Sequence, residues 1–322
     1  MQKRKLGKLK LEVPALGLGC MGMSMGYGSI DDNQSIRAIH HAIEQGISFL
    51  DTSDFYGNGH NEELIGRALS GNLREKVILA TKCGFVSRYK IDGSAAHIKK
   101  SCDASLKRLK ADAIDLYYLH RADRNTPIEE SVGALSDLVK AGKIRHVGLS
   151  EVTSTTLRRA QKVHPITALQ SEYSLWERKP EIEVLKTCRE LEIGFVAYCP
   201  LGRGFLSGKY RGTEQFEQSD FRRILPKFQN LNLQHNLEIV DRLITLAKNK
   251  RCTPAQLALA WILAQGTDIV PIPGTRSSEH MDENIGALAI HLSVAELEEI
   301  DQLIPFNATI GKQYPDEFNF QI

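Results

Sequence analysis

The feature that most narrows the folding options of this 322-residue chain is a regular alternation of short apolar runs with longer amphipathic stretches. Runs at residues 16–19, 49–52, 77–82, 114–120, 146–150, 167–170, 194–198 and 269–272 read as buried strands. Between them, apolar residues at helical spacing predict helices over residues 33–45, 61–69, 95–109, 128–141, 154–163 and 180–191. Two more, near 237–248 and 254–265, precede the last strand. Strands that always return through a helix lie parallel, and eight of them can close on themselves. The expected fold is therefore α/β, a (β/α)8 TIM barrel forming one domain over residues 1–322. Barrels of this kind commonly exceed the usual domain size, so the length does not demand two domains.

Three segments stand outside the alternation. Residues 3–13 alternate charged and apolar around Gly7-Lys8, which predicts a short N-terminal β-hairpin. Residues 202–235, rich in Gly, Arg, Gln and Asn, form an extended loop after the seventh strand, expected to lie over the carboxyl-end face or to be partly mobile. The tail after Leu303 carries Phe306, Tyr314, Phe318 and Phe320 without regular spacing; of wrapping the surface or lining a pocket, packing against the barrel is expected.

Composition excludes several classes. With 41 basic and 39 acidic side chains the net charge is only +2, which gives no electrostatic basis for binding nucleic acid. The six cysteines lack a C-x-x-C pair and fit reduced thiols in a cytoplasmic protein. No H-E-x-x-H occurs among the ten histidines, so no metal is expected. The start, Met1-Gln-Lys-Arg-Lys-Leu-Gly7, lacks the apolar core of a signal peptide, and no apolar stretch is long enough to span a bilayer. Gly17, Gly19 and Gly22 formally spell G-x-G-x-x-G. A dinucleotide fingerprint of the Rossmann type needs a helix starting inside the motif, whereas here a helical pattern begins only around Asp31-Asp32.

The chemistry sits where the apolar runs end. Residues 47–67 begin as a strand, present Asp51, turn, and present Tyr56 between Phe55 and Gly57 before a helical pattern. A phenol titrates near pH 10, so it keeps its proton at neutral pH and can give it to a developing alkoxide. A nearby cation would bring its pKa down. Read at their ends, the other runs supply Lys82, His120, Ser150-Glu151, Gln170 and Tyr198. A lone Asp or His at a strand end is more often a turn or cap residue than a catalyst. Their recurrence on successive strands is what sets these apart, and Lys82 is the cation that Tyr56 requires.

Within Asp51-Thr-Ser-Asp-Phe-Tyr-Gly57, Ala80-Thr-Lys-Cys83 and Tyr117-Tyr-Leu-His120, the four residues Asp51, Tyr56, Lys82 and His120 resemble the catalytic tetrad of the aldo-keto reductases. The likeness runs from about Lys5 to Asn284. It implies a barrel that binds NADPH or NADP+ in extended form and reduces aldehydes or ketones to alcohols. Tyr56 would be the general acid, tuned by Lys82 and Asp51, while His120 orients the small-molecule carbonyl. It further implies that Ser150 and Gln170 hold the nicotinamide carboxamide, with Gly19 and Met21 nearby, and that the ring stacks on Tyr198. The loop Cys199-Pro200-Leu201-Gly202-Arg203-Gly204 would lie under the pyrophosphate. Gly274, Thr275, Arg276, His280, Glu283 and Asn284 would form the adenosine end, with Arg276 on the 2′-phosphate that distinguishes NADPH. Two positions depart from the pattern: Glu151 stands where many members have Asn and cannot donate to an amide oxygen, and His280 stands where several have Arg. The barrel-shaped beta subunits of potassium channels share the tetrad and the cofactor positions, so a cofactor-binding regulatory subunit is the alternative. The sequence does not identify the physiological carbonyl compound or the oligomeric state.

Overall fold

The structure, a computed structural model, describes residues 1–318; Phe320 lies outside the described residues. The chain opens with the antiparallel hairpin β1 (Lys3–Leu6) and β2 (Leu11–Pro14). Then come β3 (Leu18–Gly19), α1 (Asp32–Glu44), β4 (Phe49–Asp51), α2 (His60–Ala68) and β5 (Ile78–Cys83). A small hairpin, β6 (Phe85–Ser87) and β7 (Lys90–Ile91), precedes α3 (Ala95–Leu109) and β8 (Ile114–Leu119). The pattern continues through α4 (Ile128–Lys140), β9 (Ile144–Ser150), α5 (Ser154–Val163), β10 (Ile166–Glu172), α6 (Val184–Glu190) and β11 (Gly194–Tyr198). It ends with α7 (Asn230–Asn249), α8 (Pro254–Ala264), β12 (Ile269–Ile272), α9 (Ser278–Gly286) and α10 (Val294–Leu303).

Eight strands form one parallel sheet in the order β12-β11-β10-β9-β8-β5-β4-β3. The sheet closes into a barrel because Gly17 N–H donates to the Pro271 carbonyl at 3.0 Å and Gly19 N–H to Pro273 at 3.2 Å. Closure depends on glycine here: a Cβ on Gly19 would stand 2.9 Å from the Ile272 carbonyl oxygen. Side chains alternate between the barrel interior and the helix layer. Phe49, Ala80, Leu116, Tyr118, Ala168, Val196 and Val270 fill the interior, and Leu6 and Val13 of the hairpin pack on the same cluster. The larger apolar cluster lies between strands and helices.

The structure corrects the expected extent and form of the loop at residues 202–235 and, in the tail, the packing of Phe306. The polar segment 230–235 belongs to α7, which starts two turns before the predicted position. Its side chains are used for tertiary contacts, with Asn236 donating to the Lys227 and Ile310 carbonyls and His235 bonded to Ala308 O. The remaining loop is a chain of short 3₁₀ turns, at Phe205–Ser207, Thr213–Gln215, Phe221–Ile224 and Pro226–Phe228. In the tail, Tyr314 and Phe318 line the main cavity, while Phe306 is exposed. Among the described residues, no helix is long and apolar enough to cross a membrane.

Candidate active site

Alternation along parallel strands explains why polar groups converge at one end of the barrel. Asp51 pairs in register with Ala80 on β5, so Lys82, two residues further, shares its inward face. Tyr118 and then His120 follow on and after β8, Ser150 ends β9, and Gln170 pairs with Ser150 in register. On β4, β5 and β10 the inward row is apolar until its last position, whereas β9 also carries His146 and β8 the Tyr118 phenol. The polar ring therefore caps the apolar interior, and each side chain in it needs a partner.

Those partners are present. Lys82 Nζ forms a buried salt bridge with Asp51 Oδ1. It also donates to the Thr52 carbonyl at 2.8 Å and lies 3.4 Å from the Tyr56 hydroxyl. Gln170 Nε2 donates to the other oxygen of Asp51 at 2.8 Å. Burial pushes the Asp51 pKa up and the Lys82 pKa down, and their mutual attraction opposes both shifts. Burial and the Asp51 carboxylate raise the Tyr56 phenol well above its ordinary value, so it carries its proton throughout the neutral range. The cation is thus where the sequence places it, but its charge is countered by Asp51 and burial dominates the phenol.

His120 stands edge-on to Tyr56, ring centroids 5.9 Å apart, and edge-on to Phe85 at 4.7 Å. Burial, with Lys82 and Arg121 nearby, holds its pKa well below the usual imidazole value, so the ring is neutral at pH 7. Its Nδ1 lies 3.1 Å from Ser53 Oγ, which leaves Nε2 for the cavity that His120 lines.

That cavity has a volume of about 750 Å³ and is lined both by Tyr56 and His120 and by the residues expected to hold a cofactor. Gly19, Met21, Ser150, Gln170 and Tyr198 border it, as do Pro200, Leu201, Arg203 and Gly204. Gly202 belongs to the same turn, held by its N–H bond to the Cys199 carbonyl. Gly274, Thr275, Arg276, His280, Glu283 and Asn284 also border it, from the start of α9 and the loop before it. The guanidinium of Arg276 bonds the carbonyls of Tyr27 and Ser29. Glu151 adopts a left-handed φ of 53° and accepts the Glu172 N–H at 2.9 Å.

Several lining residues escaped the sequence reading. Arg121 is buried beside His120 and donates to Ser150 Oγ at 3.1 Å and to the His120 carbonyl at 2.7 Å. It directly follows His120, one position beyond the end of the apolar run, where the sequence does not distinguish it from a turn residue. Arg88 and Phe85 come from the small β6–β7 hairpin, whose strands are too short to show a pattern. Lys209 lies 2.8 Å from His280 Nε2 and 3.8 Å from Glu283. Tyr314, from the tail, bonds Arg203 at 3.0 Å and Tyr198 at 3.3 Å. No sequence signal ties Lys209 to the cavity, whereas Tyr314 belongs to the tail expected to pack against the barrel.

Comparison with known proteins agrees with this arrangement. Residues 15–305 match the model of the aldo/keto reductase family. A relative named probable aldo-keto reductase 1, from Glycine max, is 47% identical over 319 residues, covering 98% of this chain and 92% of that protein. A thermostable aldo-keto reductase, solved with the inhibitor epalrestat, superposes with a TM-score of 0.77 at 31% identity, over 94% of this chain and all of the other. A glycerol dehydrogenase of Gluconobacter oxydans gives a TM-score of 0.85 at 28% identity, over 96% and 99% of the two chains. Barrel, polar ring and relatives agree: the chain is a member of the aldo-keto reductase family, and hence an oxidoreductase.

Proposed function

We propose that the protein reduces aldehydes or ketones to alcohols with NADPH, and that Tyr56 is the proton donor. The observation that carries this reading is the contact of the Tyr56 hydroxyl with Lys82, itself held by Asp51, on a cavity that also meets Arg276 and Lys209. The donor set suits a nicotinamide dinucleotide phosphate. Ser150 and Gln170 offer a hydroxyl and an amide to a carboxamide, and Tyr198 offers an aromatic face. Arg276, Lys209 and the nine-residue helix α9 put positive charge at one part of the wall, where phosphate is favoured. When bound, the nicotinamide supplies a hydride to the carbonyl carbon. Tyr56 gives its proton to the oxygen on which negative charge develops. An imidazole with its proton on Nε2 hydrogen-bonds the same oxygen, and Phe55 and Phe85 exclude water around it. The salt-bridged Lys82 holds positive charge against the phenol as its proton leaves. The six free cysteines fit residence in the cytoplasm.

The test is to incubate purified protein with NADPH and a panel of aldehydes and ketones while following the absorbance of the reduced coenzyme. Turnover of at least one carbonyl compound is expected. Tight coenzyme binding with no turnover across the panel would favour a cofactor-sensing regulatory barrel instead.

A further inference from the structure

We propose that Ser53 and Asp54 form a hydrogen-bonded relay that sets which ring nitrogen of His120 carries the proton. This rests on the reading above, in which His120 faces the substrate oxygen. Ser53 Oγ lies 3.1 Å from His120 Nδ1 and 3.3 Å from Asp54 Oδ1, and it accepts the Phe55 N–H at 3.1 Å. A hydroxyl has one proton and two lone pairs. The Phe55 N–H takes one lone pair, which leaves one proton and one lone pair for two neighbours, His120 and Asp54. The Lys82 carbonyl, at 3.4 Å, is the longest of the acceptors in reach.

Two arrangements follow. With Asp54 ionised, Oγ–H points to the carboxylate, the free lone pair accepts Nδ1–H, and Nε2 faces the cavity without a proton. With Asp54 protonated, its O–H donates to Oγ, Oγ–H donates to Nδ1, and Nε2 carries the proton. The protons balance. One taken up at Nε2 is passed on as Nδ1–H to Oγ and Oγ–H to Oδ1, leaving Asp54 protonated and Nε2–H in the cavity. Only the second arrangement offers a donor to a carbonyl oxygen, so Asp54 and Ser53 are positioning residues for reduction.

The surroundings place the change near neutrality. Burial and the Glu62 carboxylate on α2 push Asp54 up to about 7, against Arg108 on α3, the Ser53 hydroxyl and the Phe55 N–H. Glu62 is anchored by Arg108 Nε at 2.7 Å and by Thr81 Oγ1 at 2.6 Å. Cys83 on β5 and Tyr117 on β8 also feel the Asp54 charge, and burial raises both far out of this range. Around His120 stand Lys82, Arg121 and the Tyr56 and Phe85 rings. His120 stays neutral and Tyr56 protonated across the interval, so neither obscures the change.

Nitrogen-15 NMR of the full chain labelled at histidine reads the tautomer without coenzyme or substrate, with His120 assigned by its loss in His120→Asn. Nε2–H is expected well below about pH 7 and Nδ1–H well above it. Asp54→Asn has no proton to lose, and Ser53→Ala breaks the chain, so both should hold one tautomer at every pH; Ser53→Thr should restore the change. With NADPH and a reducible aldehyde, wild-type kcat should fall by up to about tenfold per pH unit above the transition, and the fall should vanish in Asp54→Asn. An unchanging tautomer in the wild type, or an unaltered transition in Asp54→Asn, overturns the relay. A tautomer that switches in a protein that turns over no carbonyl compound upholds the relay and removes the reductase reading.

Discussion

Lys82 is fully buried and its only carboxylate partner among the described residues is Asp51, so its removal has a structural and a chemical consequence that separate by pH. In Lys82→Met the Asp51 carboxylate is left buried without its counter-charge, a change that typically costs 3–5 kcal/mol, roughly, when one partner of a buried pair is lost. Burial already raises Asp51, and without Lys82 its folded pKa climbs further. A carboxyl whose folded pKa exceeds its unfolded one binds more protons when folded, so its contribution to stability is lost as pH rises. The melting temperature of Lys82→Met should therefore fall furthest below wild type at neutral pH and recover as the pH is lowered toward the ordinary carboxylate range. A gap that widens on acidification would show that Asp51 is not the group left exposed to the penalty. Tyr56→Phe keeps the ring and removes the proton. Steady-state reduction should fall by roughly 10²–10⁴-fold or more, while coenzyme titration stays near wild type. Asp51, Lys82 and His120 stand out in the sequence because each closes an apolar run, where a polar side chain is conspicuous, and Tyr56 follows Asp51 after a single turn. Ser53, Asp54 and Arg121 lie beside those residues in sequence and look like turn chemistry. Only their burial and mutual distances reveal more.

At the scale of elements, α2 and α3 meet more closely than side chains allow. A Cβ on Gly66 would stand 2.4 Å from the Arg108 carbonyl oxygen and about 3 Å from the Leu109 backbone, none of which can rotate away. Gly66→Ala gains roughly 0.5–1 kcal/mol of helix preference, but overpacking a rigid contact costs about 1–3 kcal/mol. The net result should be a lower denaturation midpoint at an unchanged slope, and an equal or higher midpoint would show that the two helices slide apart freely. The same contact holds Arg108 against Glu62, so the variant should also shift the Asp54 titration. The strands and most helices were predicted to within a residue or two, since a buried parallel strand is a continuous apolar run and its helix shows the 3.6-residue period. What escaped lacked that contrast. The polar first turns of α7 are ordered by tertiary bonds, β6 and β7 are too short for a period, and α9 and α10 lie beyond the last strand. A capping signal for α10 was in fact present, in Ser293 and Glu296, which cap each other's backbone in the structure.

At the scale of the molecule, one cavity is assembled from segments hundreds of residues apart, and the proposed preference for NADPH would depend on that assembly. Arg276 reaches across to the carbonyls of Tyr27 and Ser29, which tie the loop after β3 to the start of α9. The loop is also joined to the segment after β11, through Phe221 N–H to Gly26 O at 2.9 Å and Ser29 Oγ to Glu217 at 3.2 Å. A 2′-phosphate at this end would compete with two neutral carbonyls for the guanidinium, and the charge-assisted contact is the stronger. Losing such a contact costs about 1.5–3 kcal/mol, so Arg276→Ala should weaken NADPH binding by roughly one to two orders of magnitude. NADH, with a hydroxyl there, should hardly change. The residual NADPH preference should also be less sensitive to salt, with Lys209 as the remaining nearby cation. Because Arg276 holds a loop as well, the two roles need separating. Arg276→Lys keeps the charge but not the paired geometry on two carbonyls, so it should retain much of the NADPH preference even if the loop loosens. Fluorescence titration of both coenzymes against the wild type and the two variants decides between them. Equal losses for NADPH and NADH in Arg276→Ala would mean that Arg276 serves the loop, and the assignment of NADPH would then have to rest on Lys209 and α9 alone.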